Sequence, residues 1–95
     1  MPVPATGSVA WCRRETTLTR RTPRAVLILA DATPEPVRLD GPAAAVWEEL
    51  VTPVTDEALV DRVAARTGTS AAEIGADVIA TRTALGLIGA ITEVR

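Results

Sequence analysis

The stretch Val37-Arg38-Leu39-Asp40-Gly41-Pro42-Ala43-Ala44-Ala45-Val46-Trp47-Glu48-Glu49-Leu50 holds the point at which the hydrophobic period changes from two to about 3.6. Val37 and Leu39 alternate with Arg38, as on a strand with one apolar face. Pro36, just before them, has no amide to give a ladder neighbour and marks this strand as an edge. Asp40 then reads as an N-cap, with Gly41 and Pro42 in the first turn of a helix over residues 43 to about 51. Val46, Trp47 and Leu50 share one side of that helix.

Upstream of this switch the signals are those of strands. Ala25-Val26-Leu27-Ile28-Leu29-Ala30 is an apolar run bounded by Pro23 and Asp31, with the length of a buried strand. Turn residues around Pro34 connect it to Val37–Leu39 as a hairpin. Val9 to Arg13 suits another strand, which makes Val37–Leu39 the third. The segment 15–22, rich in Thr and Arg, either extends the first strand or forms a polar turn. Residues 1–8, with two Pro and a Gly, read as a flexible lead-in to a single domain over 9–95.

Downstream, the chain reads as helices. Thr52-Pro53-Val54 ends the first helix. Thr55 caps a second, with Asp56 and Glu57 in its first turn and Leu59, Val60 and Val63 as its apolar face. Gly68 stands where a left-handed C-cap belongs. Ser70 and Glu73 form a capping-box pattern opening a third helix, whose stripe is Ile74, Val78, Thr81 and Leu85. Gly86 and Gly89 loosen the chain before Ala90-Ile91, which could form a short closing strand. The expected architecture is α+β, of winged helix-turn-helix type: a small antiparallel sheet of two or three strands followed by three helices. Each helix has one apolar face and needs the others, or the sheet, to cover it.

Composition narrows the function. The chain has 95 residues, 47 % of them hydrophobic, which suits one folded domain. It contains no His and one Cys, which removes cysteine-cluster metal sites and His-assisted nucleophiles. Cys12, among Val9 and Trp11, reads as a buried or edge-strand thiol. The carboxylate pairs Glu48-Glu49 and Asp56-Glu57 are adjacent on helix surfaces. Each pair therefore diverges by about 100° and cannot converge on one substrate atom. No Gly-rich phosphate loop is present. These features predict a chain that is not an enzyme, with no catalytic residues, no metal and no cofactor. Trp11 and Trp47, the only aromatics, read as core. The net charge of −2 gives no reason to bind nucleic acid or anionic lipid, and the cluster Arg20-Arg21-Thr22-Pro23-Arg24 reads as a solvated hairpin edge. The amino terminus lacks a secretion signal and no stretch has the length of a membrane helix, so a cytoplasmic protein is expected.

The run 37–50, continued through Val54-Thr55-Asp56-Glu57-Ala58-Leu59, resembles pyrroloquinoline quinone biosynthesis protein D and the related RiPP recognition elements, small proteins that hold a precursor peptide's leader for a modifying enzyme. So does the pairing of Asp77-Val78 with Leu85-Gly86-Leu87-Ile88-Gly89-Ala90-Ile91. The resemblance spans roughly residues 25 to 91. It departs from the family at Thr81-Arg82, where bulky apolar residues are usual, and in the amino-terminal strand region.

The resemblance implies that a leader segment adds as an antiparallel strand in the groove between the third strand and third helix. Val37, Arg38 and Leu39 would supply the ladder, Ile74 and Val78 the pocket floor, and Asp77, Thr81 and Arg82 polar contacts at the margins. The implied partners are a precursor peptide and a separate modifying enzyme or leader peptidase, with the protein itself a monomer or weak homodimer. A winged-helix DNA-binding regulator shares the fold class, but the third helix offers Glu73, Asp77 and a single Arg82, a poor set for phosphates and base edges. A dimerisation or subunit module without peptide specificity is the other alternative.

Overall fold

The computed structural model describes residues 9–94, and the lead-in expected over 1–8 lies outside the described residues. Strands and helices follow in the order β1 (Ala10–Arg13), β2 (Leu18–Arg21), β3 (Val26–Leu29), β4 (Val37–Leu39), α1 (Pro42–Glu49), β5 (Val54–Thr55), α2 (Asp56–Thr67), α3 (Ala71–Leu87) and β6 (Ile91–Val94). The α+β expectation is borne out, including the three helices after the hairpin. The strands, however, form two antiparallel sheets, ordered β2-β3-β4 and β5-β1-β6.

The first sheet is local. β3 is its centre, with Leu18 opposite Leu29, and Val26 opposite Leu39 on the other side. Val26 and Ile28 point into the core while Leu27 and Leu29 point outward, half-exposed. The Thr- and Arg-rich segment left open by its pattern is a turn followed by β2, all four of whose residues are exposed. The second sheet joins distant parts of the chain: β1 lies between β5 and β6, and Cys12 pairs with Thr92. Cys12 is thus half-buried on a central strand, neither the buried nor the edge-strand thiol expected. The reason is long-range: β6 and β5 arrive on either side of β1, which no local pattern announces.

Local signals placed the helices well. Thr55 Oγ1 accepts from the Ala58 amide at 3.2 Å, and Ser70 Oγ accepts from the Glu73 amide at 3.2 Å. Gly68 closes α2 with φ of 70° in the left-handed region, which only glycine enters freely. Two boundaries differ. Gly41, not Asp40, is the N-cap of α1, because its φ of 57° lets the chain turn from strand into helix and puts Pro42 in the first turn. Asp40 instead accepts a hydrogen bond from Arg38 Nε at 3.0 Å. At the other end α3 continues through Gly86 to Leu87 and is closed by Gly89, after which the Ala90 amide returns to the Leu85 carbonyl at 3.0 Å.

One core joins these parts. Ile28 and Leu39 from the sheet, Val46, Trp47 and Leu50 from α1, Leu59 and Val63 from α2, and Ile74, Val78 and Leu85 from α3 are buried in a single cluster. Trp47 is fully buried, as expected, and its Nε1 donates to Thr19 Oγ1 at 3.2 Å. Arg13 covers the same ring at 4.6 Å and donates to the Trp47 carbonyl at 3.0 and 2.7 Å. Burial lowers the pKa of that guanidinium, with Glu48 opposing and Arg21 adding to the shift. Trp11 is only half-buried, packed against the edge of the core.

Candidate functional site

β4 ends the β2-β3-β4 sheet. It pairs with β3 on one side, and among the described residues no strand pairs with its other side. Its residues divide as the alternation predicts: Leu39 is buried, Val37 is half-buried against the core, and Arg38 is exposed on the opposite face. An unpaired edge presents amides and carbonyls at the strand spacing of about 3.4 Å per residue, a template for another extended chain. β2 is the other edge of this sheet, and its Arg20-Arg21 belong to the cluster read as a solvated hairpin edge.

α3 is tied to this sheet at its carboxyl end. The Ala32 amide, in the turn between β3 and β4, donates to the Ile88 carbonyl at 3.2 Å, and Gly89 lies against Ala32. The buried stripe of α3 is Ile74, Val78 and Leu85, with Thr81 half-exposed along it. Ile74 and Val78 are only 4 % and 1 % exposed, so they support whatever lies above them more than they line it.

The two flanks of that stripe face different neighbours. Arg82 Nε and Nη2 donate to Asp56 Oδ1 and Oδ2 at 2.9 and 3.0 Å, and its guanidinium lies 4.6 Å from the Trp11 ring centre. Gly75 lies against Val60 on the same flank, and Ile79 shares an open groove with Asp56, Glu57, Val60 and Asp61. That flank belongs to α2 and the β1 sheet. Asp77 is five residues from Arg82, so at about 100° per residue the two diverge by about 140°. Asp77 and Ala84 are exposed on the opposite flank, beside Thr81, which continues to Ile88 and its bond to Ala32.

The site residues read from the sequence therefore fall into three groups. Val37, Arg38 and Leu39 form an edge with which no described strand pairs. Ile74 and Val78 are core. Asp77 and Thr81 lie on one flank of α3, while Arg82 is drawn to the other by Asp56. Ala84 and Ile88 join the flank of Asp77, and their spacing of three and seven residues from Thr81 was the signal available for them. Arg82 is also the one basic side chain on α3, so this helix has no free base to offer a nucleic acid. Among the described residues no group of acids or Cys is arranged to hold a metal ion, and no helix is long and apolar enough to cross a membrane.

A family model described as coenzyme PQQ synthesis protein D matches residues 25–86, about two thirds of the chain. The matched span begins just before β3, includes β4, and ends within α3, so the free edge and most of the α3 flank lie inside it. β1, β2 and β6 lie outside it. No curated protein and no solved structure matches the chain.

Proposed function

The chain belongs to the PqqD family, and from that premise we propose that it is a non-catalytic RiPP recognition element that binds the leader of a precursor peptide as a strand added to β4. A role in binding precursor peptides follows from the family. The mode of binding is argued from the free edge of Val37–Leu39, the observation that carries this reading. A leader strand there would satisfy the unpaired backbone groups by β-augmentation, which gives affinity through the main chain and selectivity through alternate side chains. The β2 edge is less suited, since it lies outside the matched span and presents four exposed residues with no pocket-forming helix in the match.

On the helix side, Thr81, Ala84 and Asp77 form the flank that would face the leader, above Ile74 and Val78. Ala84 leaves room for a leader side chain, and Asp77 suits a basic one. Arg82 is removed from the set, because its bidentate pair with Asp56 would have to break before it could reach the opposite flank. The bound leader is delivered to a separate modifying enzyme or leader peptidase, in the cytoplasm.

The test is a calorimetric titration with the leader peptides of precursors encoded beside this gene. Dissociation constants in the micromolar range or tighter are expected, lost in Val37→Asp. Since Val37 also packs on the core, a second arm keeps the protein unchanged and methylates successive leader amides. A single net hydrogen bond of about 1 kcal/mol predicts losses of roughly fivefold at every second position. Uniform insensitivity to methylation, or no binding to any of these leaders, would refute strand addition at this edge.

A further inference from the structure

A protein that delivers a peptide to a separate enzyme needs a second contact surface, and the outer face of the β2-β3-β4 sheet has the chemistry of one. On this face Leu18 stands opposite Leu29, and Leu27 stands between Arg20 on β2 and Arg38 on β4. Leu18 is 65 % exposed, one of three large apolar side chains so exposed among the described residues. Leu18, Arg20, Leu27, Leu29 and Pro36 surround a depression of about 180 Å³. That is below the roughly 300–1,000 Å³ of small-molecule sites, and fits side chains inserted from another polypeptide.

The charged residues of the three strands are all basic, with Glu35 and Asp40 just beyond the ends of β4. β2, β3 and β4 contain no acidic residue. Arg20 has no carboxylate partner among the described residues, whereas Arg38 is held by Asp40. With strands about 4.8 Å apart, Arg20 and Arg38 stand roughly 10 Å apart across Leu27. Two outer faces pressed together about a twofold axis would set these arginines against each other, which disfavours a second copy as the occupant. A lipid surface is disfavoured too, because exposed Glu35, next to Pro36 in the chain, would bring a carboxylate close to anionic headgroups.

We infer that this face docks the partner enzyme, through an apolar side chain of that enzyme seated between Leu18, Leu27 and Leu29 and flanked by a carboxylate that meets Arg20. This inference rests on the proposed role in leader delivery. It also gives that role a geometry: a leader strand added to β4 would extend the same sheet, so the enzyme would meet protein and leader side by side on one continuous face.

The experiment uses the full chain and the purified modifying enzyme or leader peptidase encoded beside the precursor gene. Binding of leader alone and of enzyme alone is measured for the wild type, Leu18→Asp and Arg20→Glu. Both residues are exposed and face away from the core, so both variants are expected to fold and to bind leader within twofold of wild type. Enzyme affinity is expected to fall at least tenfold in each, and to weaken in the wild type as salt is raised. Unchanged enzyme affinity in both variants overturns the inference, as does a wild type that binds leader and not enzyme. A parallel loss of leader affinity overturns it by assigning the face to the leader. A dimer dissolved by Leu18→Asp in sedimentation, or anionic phosphatidylglycerol vesicles released by Arg20→Glu with enzyme binding intact, overturns it in favour of those occupants. Loss of leader binding by the wild type itself would instead count against the leader-recognition reading.

Discussion

The two sheets are built from strands of similar length but divide the work of the molecule. β5-β1-β6 draws together the beginning, middle and end of the described chain, pairing residues about eighty positions apart. Ile91 is buried there, and Trp11 is clamped beneath the Arg82–Asp56 pair. β2-β3-β4 is made of consecutive strands and, among the described residues, has both edges unpaired and an outer face that carries exposed Leu18. Substitutions in the first sheet are therefore expected to act on stability, and those at the edge and outer face of the second on binding. An exposed edge is tolerable when its strand is short and charged, and β4 has three residues with Arg38 at their centre.

The largest effect that would separate the two sheets is expected at Ile91. Ile91→Ala should cost about 2–5 kcal/mol in urea unfolding while the folded protein binds leader as the wild type does. A fall in leader affinity under native conditions would break the division. Arg82→Ala comes next, at about 1–2 kcal/mol, from a partly buried ion pair and a stacked guanidinium. A double-mutant cycle with Asp56→Ala should show coupling of about 0.5–1 kcal/mol, and leader affinity should stay within twofold. If Arg82→Ala instead weakens leader binding with little change in stability, Arg82 belongs to the site after all. Ser70→Ala should cost about 1 kcal/mol by leaving the first turn of α3 uncapped. Arg38→Ala is expected to be the smallest, within about 0.5 kcal/mol in stability and threefold in leader affinity, since the proposed ladder would use the backbone of β4 and not this side chain.

Much of the fold was legible because its signals are local. The apolar run 25–30, the edge mark at Pro36, the caps at Thr55 and Ser70 and the glycine at 68 each report on neighbours within four residues. β2 and β5 were not legible, since Leu-Thr-Arg-Arg and Val-Thr become strands only through β3 and β1. The same distinction governs the candidate site. The edge at Val37–Leu39 could be read from alternation and a proline, whereas the division of α3 into two flanks depends on Asp56, Trp11 and Ala32, which approach from distant parts of the sequence. A helical wheel places Arg82 at the border of the stripe. Only the packed structure shows that a carboxylate 26 residues away holds it on the α2 side.

Hydrogen exchange compares the two open edges of the β2-β3-β4 sheet in one experiment and tests strand addition most directly. With saturating leader peptide, amides of Val37–Leu39 and the surface around Asp77–Ala84 are expected to gain protection, while those of Leu18–Arg21 keep their free rates. Protection that appears along Leu18–Arg21, with Val37–Leu39 unchanged, would contradict the assignment of the leader to β4.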